Sequence, residues 1–292
     1  MLPNFICPGA QKSATTTFYK LLRQHPDIYL PDIKEIHFFD SDEKYLEGIL
    51  WYEKKYFNRV INEKIIGEIT PNYMYFDYIP ERIFHCLGKN IKFIFILRNP
   101  VDRAYSHYWM SCRKGYEKET FEKAICLEEE RIKKGNREEI MRFSYIGRGF
   151  YFKQIKRFLN YFPRENMQFI LFEDLTRDTS NTMKQIFSFL EVDLNVSINY
   201  NIKSNPTRMP KSIMLRNIIQ KPPALVKKTT KFLIPDEKLR RKAILAIKNI
   251  NYSKFQKPDL KLKTRYKLLK IYKKDIKELE NLIDKDLSLW FK

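Results

Sequence analysis

The chain has 292 residues, 43% apolar and 15% aromatic, which is enough to bury a full core and excludes an intrinsically disordered protein. It carries 55 Lys and Arg against 35 Asp and Glu, a formal net charge of +20. The excess is uneven: residues 201–292 hold 25 basic and 8 acidic residues, a net of +17, whereas the first 200 hold 30 and 27. A nearly neutral first part and a basic last third point to an anionic partner (a polyanionic glycan, nucleic acid or an acidic membrane surface) or to solvated helix faces in a lysine-rich composition. The four cysteines, Cys7, Cys86, Cys112 and Cys126, have neither CxxC nor metal-ligand spacing, so no metal is expected, and they fit a reducing compartment. No basic-then-apolar leader precedes the first strand, and no run approaches about 18 apolar residues. A cytoplasmic protein is therefore expected.

In chain order, strand-length apolar runs occur at Asn4–Pro8, Ile28–Leu30, Ile65–Ile69, Ile91–Leu97 and Gln168–Phe172. The last two are almost continuously apolar, as strands buried on both faces should be. Helical sequence lies between them, at Thr15–Gln24, Tyr78–Leu87, Val101–Arg113, Phe121–Lys133, Tyr151–Tyr161 and Asn181–Leu190. Alternation of this kind predicts a parallel α/β sheet with its ligand site at the carboxyl ends of the strands. After about residue 195 the strand signal stops. Prolines punctuate a basic stretch, and two helices are predicted, about Asp236–Ile250 and Asp259–Asp286, the second with an amphipathic stripe from Leu268 to Ile283. With no repeat or low-complexity linker, a single domain is expected, an α/β core over 1–195 and a basic, mainly helical part over 196–292.

Four segments carry chemistry. The first strand opens into Gly9-Ala10-Gln11-Lys12-Ser13-Ala14-Thr15-Thr16 at the head of a helix. Unpaired helix N–H groups, a lysine charge and hydroxyls at Ser13, Thr15 and Thr16 suit an anion, although the spacing is not that of a Walker loop. After the second strand, Lys34-Glu35-Ile36-His37-Phe38-Phe39-Asp40 brackets ionisable groups with aromatic ones, a setting that makes a carboxylate more basic. His37 is a candidate base in its own right. The strand ending at Leu97 runs into Arg98-Asn99-Pro100, and Ser106 lies about two turns into the helix that Pro100 opens. An arginine fork and a hydroxyl placed there can hold a second phosphate. Glu68-Ile69-Thr70-Pro71-Asn72-Tyr73 and Ser144-Tyr145-Ile146-Gly147-Arg148-Gly149 end a strand and open a helix, and could line a pocket.

Taken together, the KSATT loop, KEIHFFD and LRNPVDRAYSHY resemble the PAPS-dependent sulfotransferases, in particular the heparan sulfate 3-O- and N-sulfotransferase branch and its bacterial relatives. The resemblance runs across most of the chain. It implies a P-loop-NTPase-like three-layer sandwich, a central parallel β-sheet flanked by helices, with a helical C-terminal extension. It also implies PAPS as sulfuryl donor, PAP as product and no metal. Lys12, Ser13, Ala14, Thr15 and Thr16 would wrap the 5′-phosphosulfate, with Lys12 on the leaving phosphate. Arg98 and Ser106 would hold the 3′-phosphate, with Arg208 and Lys211 as further candidates on that side. Glu35 would be the general base, with His37 as the alternative. The acceptor would lie over Lys34, Glu35, His37, Phe38 and Asp40, with Tyr73 and Arg148 beside them.

The chain departs from the family pattern at two positions. Ala14 replaces the usual glycine, which a methyl tolerates only if the residue does not need positive φ. Ile69 stands where the heparan sulfate enzymes tend to have a lysine, and Arg148 is a candidate compensating cation. The implied acceptor is a carbohydrate or glycolipid, anionic or neutral, bearing a hydroxyl or amine. Nucleic acid is not expected, for want of a recognised motif. Two rival readings are a nucleotide or small-molecule kinase and a basic anion-binding module without catalysis. Lys227–Ile234 and Arg240–Ile250 mix cations with apolar residues, which suits either a peripheral contact with the inner face of a membrane or ordinary helix docking.

Overall fold

The computed structural model describes residues 1–202, 208–220 and 222–292. Five strands, β1 (Phe5–Gly9), β2 (Ile28–Tyr29), β3 (Ile65–Ile69), β4 (Lys92–Leu97) and β5 (Met167–Leu171), form one sheet in the order β2-β3-β1-β4-β5. Every pairing is parallel, and β4 and β5 run in register from Phe93 against Met167 to Leu97 against Leu171. The five predicted strands are all present, each within one or two residues of its expected bounds.

Period-two alternation sorts the side chains of β4 between two layers. Ile94 and Ile96 point into a cluster with Cys7, with Phe18, Leu21 and Leu22 of helix α1 (Thr15–Leu22), and with Met183, Ile186 and Phe187 of a later helix, Thr179–Leu190. Phe93 and Phe95 point to the opposite face. There their rings meet Phe158 at 5.4 and 5.3 Å, and Phe95 stacks on Phe169 at 5.3 Å. In chain order the remaining helices used below are α2 (Pro100–Arg113), α3 (Tyr151–Leu159), α4 (Thr179–Leu190), α5 (Ile213–Gln220), α6 (Ala224–Leu233), α7 (Glu237–Asn251) and α8 (Leu262–Ile283).

The amphipathic stripe of α8 is buried at Leu268, Leu269, Tyr272, Ile276, Leu279 and Ile283. It seats against α3: a Cβ at Gly149 would lie 2.7 Å from the Tyr272 ring, so that glycine allows the close approach. Asp275 accepts hydrogen bonds from Phe152 N (3.1 Å) and Lys153 N (3.2 Å) at the start of α3. Burial nonetheless outweighs these bonds and raises the Asp275 carboxyl to about 6. The closing Trp290 is buried, and its carbonyl accepts from Asn99 Nδ2 at 3.0 Å.

Two compact units divide the chain. The first comprises residues 1–108, 121–204 and 260–292; the second comprises 109–120 and 205–259. Of the part read as one basic extension, residues 260–292 thus lie in the first unit. Within the second unit, β6 (Arg208–Pro210) pairs antiparallel with β7 (Tyr252–Lys254), where no strand was expected from the sequence. Asn251 exchanges hydrogen bonds with Ser212, Arg216 Nη1 donates to Arg113 O at 2.9 Å, and Trp109 meets Phe255 at 4.8 Å.

The helix predicted over Phe121–Lys133 is two helices, Phe121–Cys126 and Glu128–Lys134. The side chain of Glu128 is buried at the junction, where it accepts from Ile146 N (2.6 Å) and Gly147 N (2.8 Å). No helix among the described residues is long and apolar enough to cross a membrane.

Candidate active site

The loop after β1 is held from both sides. Ala10 N donates to Ile96 O at 2.8 Å, and Met74 N donates to Pro8 O at 2.8 Å. A Cβ on Gly9 would lie 2.7 Å from Met74, so only glycine fits there. The loop then passes through left-handed backbone at Lys12 (φ 76°) and Ala14 (φ 62°). Ala14 precedes α1 without a capping side chain, and the first turn of that helix has no acid. The positive end of the helix is therefore left for an external anion. Ser13 is fully buried, and its Oγ has no partner in the structure.

Arg98 leaves the end of β4 beside this loop. Its Nη1 donates to Lys12 O at 3.2 Å, and its guanidinium lies 4.4 Å over the Phe172 ring. Burial lowers its pKa, opposed by Asp102, Tyr151 and Glu173. Asn99 Oδ1 accepts from Val101 N at 3.0 Å and so caps α2, with Pro100 in its first turn. Ser106, two turns along, is half-buried.

The Lys34–Asp40 loop sits against the end of β3, with Glu35 N donating to Ile69 O at 3.2 Å. Glu35 (φ 64°) and His37 (φ 57°) are both left-handed. The Glu35 carboxylate is partly exposed, pairs with Lys34 Nζ, and lies 3.9 Å from His37 Nε2. The other ring nitrogen, Nδ1, is 2.9 Å from Asp40 Oδ2, and Arg137 Nη2 is 2.8 Å from the same oxygen. Burial pushes the Asp40 carboxyl up, but His37 and Arg137 together outweigh burial and hold it below the ordinary carboxylate value. An ionised Asp40 fixes the proton of His37 on Nδ1 and leaves Nε2 towards Glu35.

A buried carboxylate supports this loop from below. Glu68 Oε1 accepts from Thr70 Oγ1 (2.6 Å) and from Tyr73 OH (2.7 Å), and Glu68 Oε2 accepts from Tyr52 OH. Burial raises the Glu68 pKa, and the three hydroxyls pull it back. Tyr73 OH in turn accepts from Phe38 N (2.8 Å) and Phe39 N (3.2 Å). Phe38 and Phe39 are themselves fully buried, Phe38 stacked on Tyr52 at 4.2 Å.

Buried positive charge is the other feature of the site. Arg148 is buried; its Nε donates to Ser144 Oγ at 2.8 Å, its plane lies 4.5 Å over Tyr75, and Nη1 and Nη2 have no partner. Burial lowers its pKa to about 10. His107 is pushed well below its ordinary value, first by burial and then by the charges of Arg103, Arg148 and Lys12, so those three cations share one neighbourhood.

A sulfotransferase domain model matches residues 2–280. The chain belongs to the sulfotransferase family. It is 31% identical to a mouse heparan sulfate glucosamine 3-O-sulfotransferase 5, covering 71% of this chain and 58% of the relative. It is 32% identical to the human heparan sulfate glucosamine 3-O-sulfotransferase 3B1 over 65% of this chain and 46% of the relative. The chain thus spans about half the length of these curated relatives. The crystal structure of a sulfotransferase from Alicyclobacillus acidocaldarius matches with a TM-score of 0.73 and 26% identity, covering 100% of both chains.

Within this sulfotransferase fold, Lys12–Thr16, Arg98, Ser106, Lys34–Asp40 and Arg148 all lie in the first unit. Three of the residues expected beside the acceptor turn inward. Phe38 and Tyr73 are fully buried and committed to supporting the loop, and the fully buried carboxylate of Asp40 is committed to His37 and Arg137. Ile69 packs in the core cluster rather than at the loop surface. Thr16 is exposed while Thr15 is buried. Lys211 is exposed in the second unit; the side chain of Arg208 and residues 205–207 lie outside the described residues. Sequence reasoning missed the Glu68 hydroxyl network. The available signal was an acid at the end of an otherwise apolar strand, which has to find donors when buried.

Replacing Ala14 with glycine is expected to stabilise the fold by about 1 kcal/mol, because the left-handed conformation costs an L-residue roughly that much. Chemical denaturation measures it; an unchanged or lower midpoint refutes the strain at Ala14. Tyr73→Phe deletes the hydroxyl shared by Glu68 and two loop amides and should cost about 1–3 kcal/mol, with faster amide exchange at Phe38 and Phe39.

Proposed function

We propose that this sulfotransferase moves the sulfuryl group of PAPS to a hydroxyl or amine of a carbohydrate-type acceptor, with Glu35 as general base. The observation that carries the reading is the occurrence, in one unit, of buried cationic and donor groups without hydrogen-bond partners and a partly exposed carboxylate. The buried groups are the terminal nitrogens of Arg148 and the Ser13 Oγ, beside which α1 starts without a side-chain cap. These groups fit a doubly anionic donor. When bound, the donor supplies an activated sulfuryl group on a phosphate leaving group. The carbohydrate acceptor is supported by the names of the two heparan sulfate relatives.

The residues divide the work as follows. Lys12 and the α1 N–H groups neutralise charge gathering on the departing phosphate, as an anion-stabilising site should. Glu35 takes the proton of the attacking hydroxyl as the new oxygen–sulfur bond forms and the old one breaks. His37, fixed by Asp40, packs beside Glu35 with Nε2 3.9 Å from its carboxylate, and Lys34 pairs with that carboxylate. Arg98, braced by Phe172 and the Lys12 carbonyl, is placed for the 3′-phosphate together with Ser106. Arg148 supplies the cation that Ile69 does not. No cluster of metal-ligating side chains occurs among the described residues.

Glu35→Gln and Lys12→Ala should each lower transfer from labelled PAPS to an unsulfated glucosamine-containing oligosaccharide by about a hundredfold or more, while leaving the circular dichroism spectrum intact. Full activity in Glu35→Gln would pass the base role to His37. In a thermal-shift assay, 3′,5′-ADP should raise Tm more than ATP does, and Arg98→Ala should abolish the difference. A preference for ATP would sink the sulfotransfer reading in favour of phosphoryl transfer.

A further inference from the structure

The second unit carries a surface that the transfer chemistry does not use. Helix α7 places Leu239, Ala243, Ala246 and Ile250 at successive steps of four, three and four, which is one helical face. That face is open: Leu239 is 58% and Ile250 71% exposed, with Ile247 beside them at 45%. The end of α6 adds Phe232 at 83% and Leu233 at 75%. The two helices are joined closely, because Arg240 Nη1 donates to Ile234 O at 2.8 Å and Asp236 Oδ1 accepts from Leu239 N at 2.8 Å. Between residues 213 and 251 the sequence has ten Lys and Arg against two acids.

We propose that α6 and α7 form a docking surface for an anionic lipid bilayer, lying in the interface with the Leu239–Ile250 face and the Phe232-Leu233 tip among the acyl chains. Exposed large apolar residues interspersed with a strong cationic excess match the two components of such a surface, hydrocarbon below and acidic headgroups around. Each alternative occupant leaves one component unexplained. A sulfated or carboxylated glycan would neutralise the lysines but offers little to cover Phe232, Leu233 and Leu239. A second copy of the chain could cover the apolar face, but would set ten cations against ten. Anchoring here is independent of the chemistry at Glu35 and Lys12, and would bring the enzyme to acceptors held at a lipid surface.

The test is flotation of the full chain with phosphatidylcholine vesicles, with and without phosphatidylserine, at low and high salt. The chain should float with the anionic vesicles only, and binding should weaken as salt rises. Leu239→Glu combined with Ile250→Glu should reduce the bound fraction about tenfold or more, with an unchanged circular dichroism spectrum and unchanged transfer to a soluble acceptor. Lys242→Glu should reduce it less. Three results would overturn the proposal: no flotation of the parent chain, full binding by the double Glu variant, or light scattering that shows a dimer broken by the same two substitutions without any lipid binding.

Discussion

Burying the carboxylate of Glu68 at the end of β3 is the constraint on which the site depends. A desolvated carboxylate has to be given donors, and the chain gives it three hydroxyls, from Tyr52, Thr70 and Tyr73. Tyr73 donates inward and accepts outward, so the same oxygen that satisfies Glu68 also fixes the amides of Phe38 and Phe39. Those two rings are clamped among Tyr45, Trp51, Tyr52 and Tyr73. The loop is thereby pinned at its aromatic end and, through Glu35 N on Ile69 O, at its ionisable end. Only a segment fixed at both ends can keep Glu35 and His37 in left-handed backbone.

Backbone strain has a consistent location. Six non-glycine residues have positive φ among the described residues, and four of them, Lys12, Ala14, Glu35 and His37, lie in the two loops at the carboxyl edge of β1 and β2. Left-handed conformations cost energy at each such residue and persist where the surroundings over-determine them. Here the surroundings are the central strands themselves: β1 is bonded on both sides, and its following loop is tied to both β4 and the segment after β3. The rigid sheet sets the loops, and the loops set the directions of Lys12 and Glu35.

How much of this was legible follows from what each feature depends on. Strands buried on both faces declare themselves as unbroken apolar runs, so Ile91–Leu97 could be placed to within a residue. The left-handed state of Ala14 could not be read, because alanine is a helix former and only the tertiary ties of the loop force φ positive there. Short helices at Asp42–Leu46 and Ile49–Tyr56 were also missed. Their aromatic residues serve the cluster around Phe38, and their local periodicity is too brief to show. Residues of the KEIHFFD segment were recognisable as a group, but the division of labour within it was not. Phe38 and Asp40 turn inward, and Glu35 alone keeps an open carboxylate. In the basic third, composition announced the charge, while the β6–β7 pair depends on residues 42 or more positions apart and left no local trace.

The cationic pocket also explains the odd position of His107. An imidazole buried beside a carboxylate would gain a proton; this one is buried beside Arg103, Arg148 and Lys12 and is driven to the neutral form. Its Nε2 lies 3.1 Å from Met141 O, a carbonyl that can only accept, so the neutral ring carries its hydrogen on Nε2 and presents a lone pair at Nδ1. Protonation there would add a fourth positive charge to three already acting on the ring, and the fold avoids it. By the same electrostatics, negative charge brought close to these three cations would offset their effect on His107 and raise the basicity of its ring.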